Sequence, residues 1–152
     1  MMRALGLDVG SKTIGTAISD ERQRMAFPGE TIIRQEGWRK DMAAIRDLVA
    51  DKGVGLIVVG IPVMMDGSEG IQAEKVRDFV STLRRNVRIP IAFQDERMST
   101  REAERLLYQA GRDHKEVKKV VDSVAACLIL QAYLDKNESA SDRVAHEEKV
   151  RV

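Results

Sequence analysis

The chain lacks most of the features that would commit it to a specialised class. One cysteine among 152 residues, Cys127, excludes an intramolecular disulfide, and its place at helical spacing in AACLIL marks it as small core filler rather than a reactive thiol. The three prolines, Pro28, Pro62 and Pro90, all stand at edges of apolar runs, where proline is tolerated. Aromatics make up only 4% of the chain, and no internal repeat or low-complexity linker is present. No apolar run approaches the length of about 18 residues that a membrane-spanning helix needs. The opening MMRALGLDVG runs straight into a strand pattern with no apolar signal core, so a cytoplasmic location is expected. A formal net charge of +1 removes bulk electrostatics as a reason to bind nucleic acid, so such binding must rest on local patches. What is there is ordinary for an α/β domain: 43% hydrophobic and 32% charged residues, in a length that buries roughly two-thirds of the unfolded surface around a single core.

Periodicity orders the chain as β-β-β-α-β-α-β-α-α. Residues 3 to 9 and 13 to 19 form a hairpin around Gly10-Ser11-Lys12, and a third strand over 24 to 34 is interrupted by Pro28-Gly29. Trp38, Met42, Ile45 and Val49 recur at helical spacing up to a stop at Lys52-Gly53. GLIVVGIP is the continuous apolar run of a buried parallel strand. A helix over 69 to 86 and a strand from Ile89 to Phe93 follow. Ser99-Thr100-Arg101-Glu102 has capping-box spacing and opens a helix stopped by Gly111. The last helix is expected from about Lys115 to Lys136, with Val117, Val120, Val121, Val124 and Leu128 on one face. Residues 1–136 then form one domain, and 137–152 a polar, flexible tail. Strands first in a meander and then alternating with helices imply a mixed five-stranded sheet whose later strands are parallel.

An aspartate inside an apolar strand has to be explained, because desolvating a carboxylate costs several kcal/mol unless it is paired, hydrogen-bonded or bound to a cation. Asp8 is such a residue, near the end of the first strand. Active sites in parallel sheets form beyond the carboxyl ends of the strands. There Asp95-Glu96 follows the last strand, and Asp122 shares a helical face with Lys118, Ala125, Ala126 and Ile129. Small alanines let that helix lie close to the sheet and aim Asp122 at the strand ends. Converging carboxylates need a cation between them, and hard oxygen donors suit Mg²⁺ or Mn²⁺, two of which can activate water and stabilise the leaving oxygen of a phosphodiester. Singly, each acid is better read otherwise: Asp8 as a turn or cap residue, Asp95-Glu96 as a solvated loop and Asp122 as a salt bridge to Lys118; their order along the chain is what raises the joint reading. Adjacent residues on an extended segment point to opposite sides, so one of Asp95 and Glu96 faces the others.

The motifs LGLDVGSKTIGTAISD, VVGIPVMMDGSEG, QDERMST and VKKVVDSVAACLILQAYL, in this order, resemble the YqgF, or RuvX, family of RNase H-like nucleases over Leu5 to about Leu134. The resemblance implies an RNase H-like fold and a divalent-metal-dependent nuclease. The resemblance further implies a role in maturing the 5′ end of pre-16S ribosomal RNA or, alternatively, in resolving Holliday junctions in branched DNA. It also implies Asp8, Glu96 and Asp122 as catalytic metal ligands, with Glu96 chosen over Asp95 on the family pattern.

Around these acids, Ser11 and Lys12 in the first turn could touch substrate phosphate, as could the backbone of Asp66-Gly67-Ser68 before a helix. Arg97, with Arg101 and Arg105 at four-residue spacing, begins a basic stripe, and Lys118 belongs to a second group with Arg112, His114, Lys115 and Lys119. His114 reads as an exposed loop residue. Two other classes compete: DVGSKTIG also resembles the phosphate loop of the actin and sugar-kinase superfamily, though that machinery closes two domains on nucleotide; and an RNase H-like module without activity would bind nucleic acid and not cut it. A resolvase would require a two-fold homodimer, whereas trimming an RNA end would not.

Overall fold

The computed structural model describes residues 2–96 and 99–150, without the side chains of Ser99 and residues 138–150. Strands β1 (Arg3–Val9), β2 (Thr13–Ser19) and β3 (Ala26–Ile33) form the meander. Helix α1 (Arg39–Lys52), β4 (Val54–Ile61), α2 (Ile71–Asn86) and β5 (Ile91–Asp95) follow, then α3 (Ser99–Gln109) and α4 (His114–Val150). The five-stranded sheet has the order β3-β2-β1-β4-β5. Its β1–β2 and β2–β3 pairs are antiparallel, and its β1–β4 and β4–β5 pairs are parallel. The fold class read from the chain, a mixed sheet flanked by helices, is the one observed.

Alternation along the strands sorts the core into two layers. Leu5 and Leu7 of β1, Ile14 of β2, and Ile57 and Val59 of β4 meet Met42 and Ile45 of α1 and Val76, Phe79, Val80 and Leu83 of α2. On the opposite face, Ala4, Ala17 and Val58 meet Ala126, Ile129, Leu130 and Leu134 of α4. The side chains toward α4 are small, which draws that helix close. A Cβ on Gly6 would stand 2.8 Å from Leu130 Cβ and 3.0 Å from the Ala126 carbonyl oxygen.

Several boundaries differ from the sequence expectation. Strand β3 runs through Pro28-Gly29, because it is an edge strand and the register with β2 shifts between Gly15 and Ala17. Helix α2 begins at Ile71, two residues later than expected, with Gly70 as its N-cap. The stripe of α4 that enters the core is Ala125, Ala126, Ile129, Leu130 and Leu134; of the expected valine face only Val117 is buried. Val120, Val121, Val124 and Leu128 are half-buried. Helix α4 itself continues to Val150, past the expected end at Lys136. Among the described residues no helix is long and apolar enough to cross a membrane.

Candidate acidic active site

Asp8 follows Leu7 on β1, so it emerges on the α4 face of the sheet. It pairs with Gly15 of β2, and the parallel register Leu7↔Val59 continued by one residue sets it beside Gly60 of β4. A glycine thus stands on each side of the aspartate. A Cβ on Gly15 would lie 2.0 Å from the carbonyl oxygen of Asp122, so the first turns of α4 ride directly on the bare backbone of β2. A Cβ on Gly60 would lie 2.8 Å from Glu96 Oε2 and 2.5 Å from Ile129 Cδ1, so Glu96 occupies the space that glycine leaves open. These two glycines are what sequence reasoning missed; the available signal was glycine inside an otherwise regular strand, which marks close approach of another group.

Register also settles which residue of the acidic pair faces Asp8. Asp95 pairs with Ile61, and the amide of Glu96 donates to the Ile61 carbonyl at 3.1 Å, so Glu96 falls on the same face as Gln94, toward Gly60 and α4. The Glu96 carboxyl is hydrogen-bonded to Asp8 and is pushed up to about 9, by burial first and then by the charge and hydrogen bond of Asp8 and the charge of Asp95. Asp8 is also raised, chiefly by burial and further by the nearby charge of Asp122, against the lowering effect of its bond to Glu96. The two carboxyls therefore share a proton at neutral pH.

Asp122 is delivered by α4 and held by Thr13, whose Oγ1 donates to Asp122 Oδ2 at 2.6 Å. It makes no ion pair with Lys118, which is exposed. As the side chains stand, no three histidine, cysteine or acidic groups among the described residues are close enough together to hold a metal ion. The donor set nonetheless fits one: three hard-oxygen groups approach from β1, the end of β5 and α4, two of them sharing a proton that a divalent cation would replace.

The remaining candidates are spread around this cluster. Ser11 and Lys12 are exposed at the tip of the β1–β2 turn, two and three residues beyond the end of β1. In the β4–α2 loop, Gly67 donates its amide to the Met64 carbonyl at 2.8 Å. Asp66 Oδ1 receives the Ser68 amide at 2.9 Å and its hydroxyl at 2.6 Å. Those bonds hold Asp66 below the usual carboxylate range and already use two amides of the supposed phosphate cradle. Arg97 lies outside the described residues. Arg105 is bonded to Glu102 at 2.6 Å, and Arg112 approaches Glu116 at 3.5 Å, so part of the expected basic stripe is neutralised locally. His114, exposed, meets the Tyr108 hydroxyl at 3.1 Å.

The sequence hid one further support. Arg34 Nε donates to Asp41 Oδ2 at 3.0 Å, its NH1 group donates to the Gly10 carbonyl at 2.8 Å, and its backbone amide donates to the Lys12 carbonyl at 2.9 Å. Asp41 is 1% exposed. This pair, buried on the Asp41 side and partly exposed at Arg34, ties the turn after Asp8 to the start of α1.

An antiparallel meander continued by two parallel strands, with acids converging where β1, β5 and the last helix meet, defines an RNase H-like protein. A solved structure of Thermus thermophilus RuvC in complex with Holliday junction substrate superposes with a TM-score of 0.56, covering 91% of this chain and 96% of that one at 15% identity, a likeness of fold alone. The family described as "RuvX: Holliday junction resolvase" matches residues 2–136. A protein of Caldanaerobacter subterraneus subsp. tengcongensis named "Putative pre-16S rRNA nuclease" is 46% identical over 140 residues, 91% of this chain and all of its own. One of Moorella thermoacetica with the same name is 47% identical over 89% of this chain and 96% of its own. The chain belongs to the RuvX family.

Proposed function

We infer that the protein is a divalent-metal-dependent nuclease that hydrolyses phosphodiester bonds of ribosomal precursor RNA in the bacterial cytoplasm. The single observation that carries the reading is the Asp8–Glu96 pair seated between Gly15 and Gly60. Burying two carboxyls in contact is costly, and the fold makes room for it: Glu96 fills the space left open at Gly60, while Gly15 lets α4 bring Asp122 alongside. Asp8, Glu96 and Asp122 are the donors for Mg²⁺ or Mn²⁺, taken up as a pair of ions, and Thr13 restrains the third acid. When bound, the metal supplies an activated water and neutralises charge at the scissile phosphate. Ser11 and Lys12, fixed by Arg34 beside Asp8, contact the substrate backbone, and Lys118 and Arg97 extend that contact electrostatically.

The RNA reading rests on the names of relatives identical at 46% and 47%. The family description favours a second substrate, a four-way DNA junction. Both are tested in one assay with Mg²⁺ or Mn²⁺. Cleavage of the precursor RNA in preference to the junction is expected, and Asp8→Asn should reduce it by at least about a hundredfold while leaving the melting temperature within a few degrees. An unchanged rate in that variant overturns the assignment of the site.

A further inference from the structure

The side of the β1–β2 turn facing α1 and α2 carries a cleft of about 770 Å³, lined by Lys12, Arg34, Gln35, Trp38, Lys75 and Phe79, among others. Its floor is rigid: Arg34 is locked to the buried Asp41, and its guanidinium lies 5.3 Å from the centroid of the Phe79 ring. Its wall is unusual. Trp38, the chain's single tryptophan, is the N-cap of α1, makes no side-chain capping bond there and is 48% exposed. N-caps favour serine, threonine, aspartate and asparagine because those side chains satisfy free amides, so an exposed indole at this position gives up helix stability. The Arg39 guanidinium lies over the ring, 5.6 Å from its centroid. Lys12 and Lys75 are exposed at the rim and make no ion pair with a described residue, while Glu36 and Asp78 on the same rim keep the cleft from being a purely cationic track.

An exposed aromatic side chain, two available ammonium groups and neutral hydrogen-bonding side chains are the chemistry that holds an unpaired nucleotide: the base stacks and the phosphate meets a lysine. The cleft shares Ser11 and Lys12 with the turn that follows Asp8, so a strand occupying it runs on toward the acids. We propose that this cleft is a subsite for a single-stranded segment of the nucleic-acid substrate, with Trp38 as its base-stacking platform and Lys12 and Lys75 as its phosphate contacts. The proposal rests on the nuclease reading and narrows it to substrates with unpaired nucleotides near the cut.

Trp38 is its own reporter, since no other tryptophan contributes to the emission. Full-length Asp8→Asn protein is titrated with oligouridylate, oligothymidylate and a blunt duplex. Saturable quenching by one or both single strands and none by the duplex is expected; the two single strands distinguish RNA from DNA. Trp38→Ala and Lys75→Ala, read by anisotropy of a labelled strand, should each weaken binding by about five- to tenfold. Saturable binding without a change in emission overturns the proposal, as does wild-type affinity in Trp38→Ala. If the wild-type protein cleaves while Trp38 stays silent, the subsite fails and the nuclease stands. If Trp38 is quenched and no nucleic acid is cut, the nuclease fails and the subsite stands.

Discussion

The state of Glu96 is the residue-scale feature with the most direct consequence. Its carboxyl, at about 9 in the fold against an ordinary 4.5, binds its proton more tightly folded than unfolded. Its contribution to stability is therefore complete below pH 4.5, declines as the pH rises and is lost on passing about 9. Asp8, raised as well, acts in the same direction. Glutamine keeps the neutral, hydrogen-bonding form at every pH. In chelator, Glu96→Gln should melt close to wild type near pH 5 and several degrees higher at pH 8.5; a gap that does not widen with pH contradicts the shared proton. The choice of Glu96 over Asp95 was legible in the chain only by resemblance, since alternation says that one of two neighbours faces inward and not which. The pairing Ile61↔Asp95 decides it.

At the scale of elements, α4 and the sheet face beneath it form one device. The helix approaches because Gly6, Gly15 and Gly60 lack side chains, and that approach delivers Asp122 to Thr13. The glycines separate stability from activity. Gly15→Ala places a methyl 2.0 Å from the backbone oxygen of Asp122, which cannot swing away, so it should destabilise the protein by about 1–3 kcal/mol or more in urea unfolding. Gly60→Ala meets Ile129 Cδ1 at 2.5 Å and Glu96 Oε2 at 2.8 Å, the far ends of movable side chains. It should cost less stability than Gly15→Ala and reduce cleavage by displacing Glu96. Equal stability losses with full activity in Gly60→Ala would refute this division. The face of Ala125, Ala126 and Ile129 was readable as the one that packs close to the sheet; that Leu130 and Leu134 join it, while of the valine stripe only Val117 is buried, was not, because both stripes fit a helical period and only contact with the sheet chooses between them.

Across the whole molecule, the acids come from β1, the end of β5 and α4, segments far apart in sequence, so an ion held by all three would link the folded sheet to its last helix. A ligand that binds only the folded state stabilises it by mass action. Millimolar Mn²⁺ or Mg²⁺ should raise the melting temperature of the wild type by several degrees at pH 7.5 and leave Asp8→Asn nearly unmoved; equal shifts in both would argue for diffuse surface binding. The sequence by itself determined the order of elements, the mixed sheet and the acids as candidates, because strand alternation, helical spacing and turn residues act locally along the chain. The tertiary structure alone decided which acids touch, that Thr13 holds Asp122, that Arg34 and Asp41 brace the first turn, and that Trp38 faces a cleft. Each depends on the register between strands or the docking of a helix on a sheet, and those are set by packing between segments that sequence proximity does not connect.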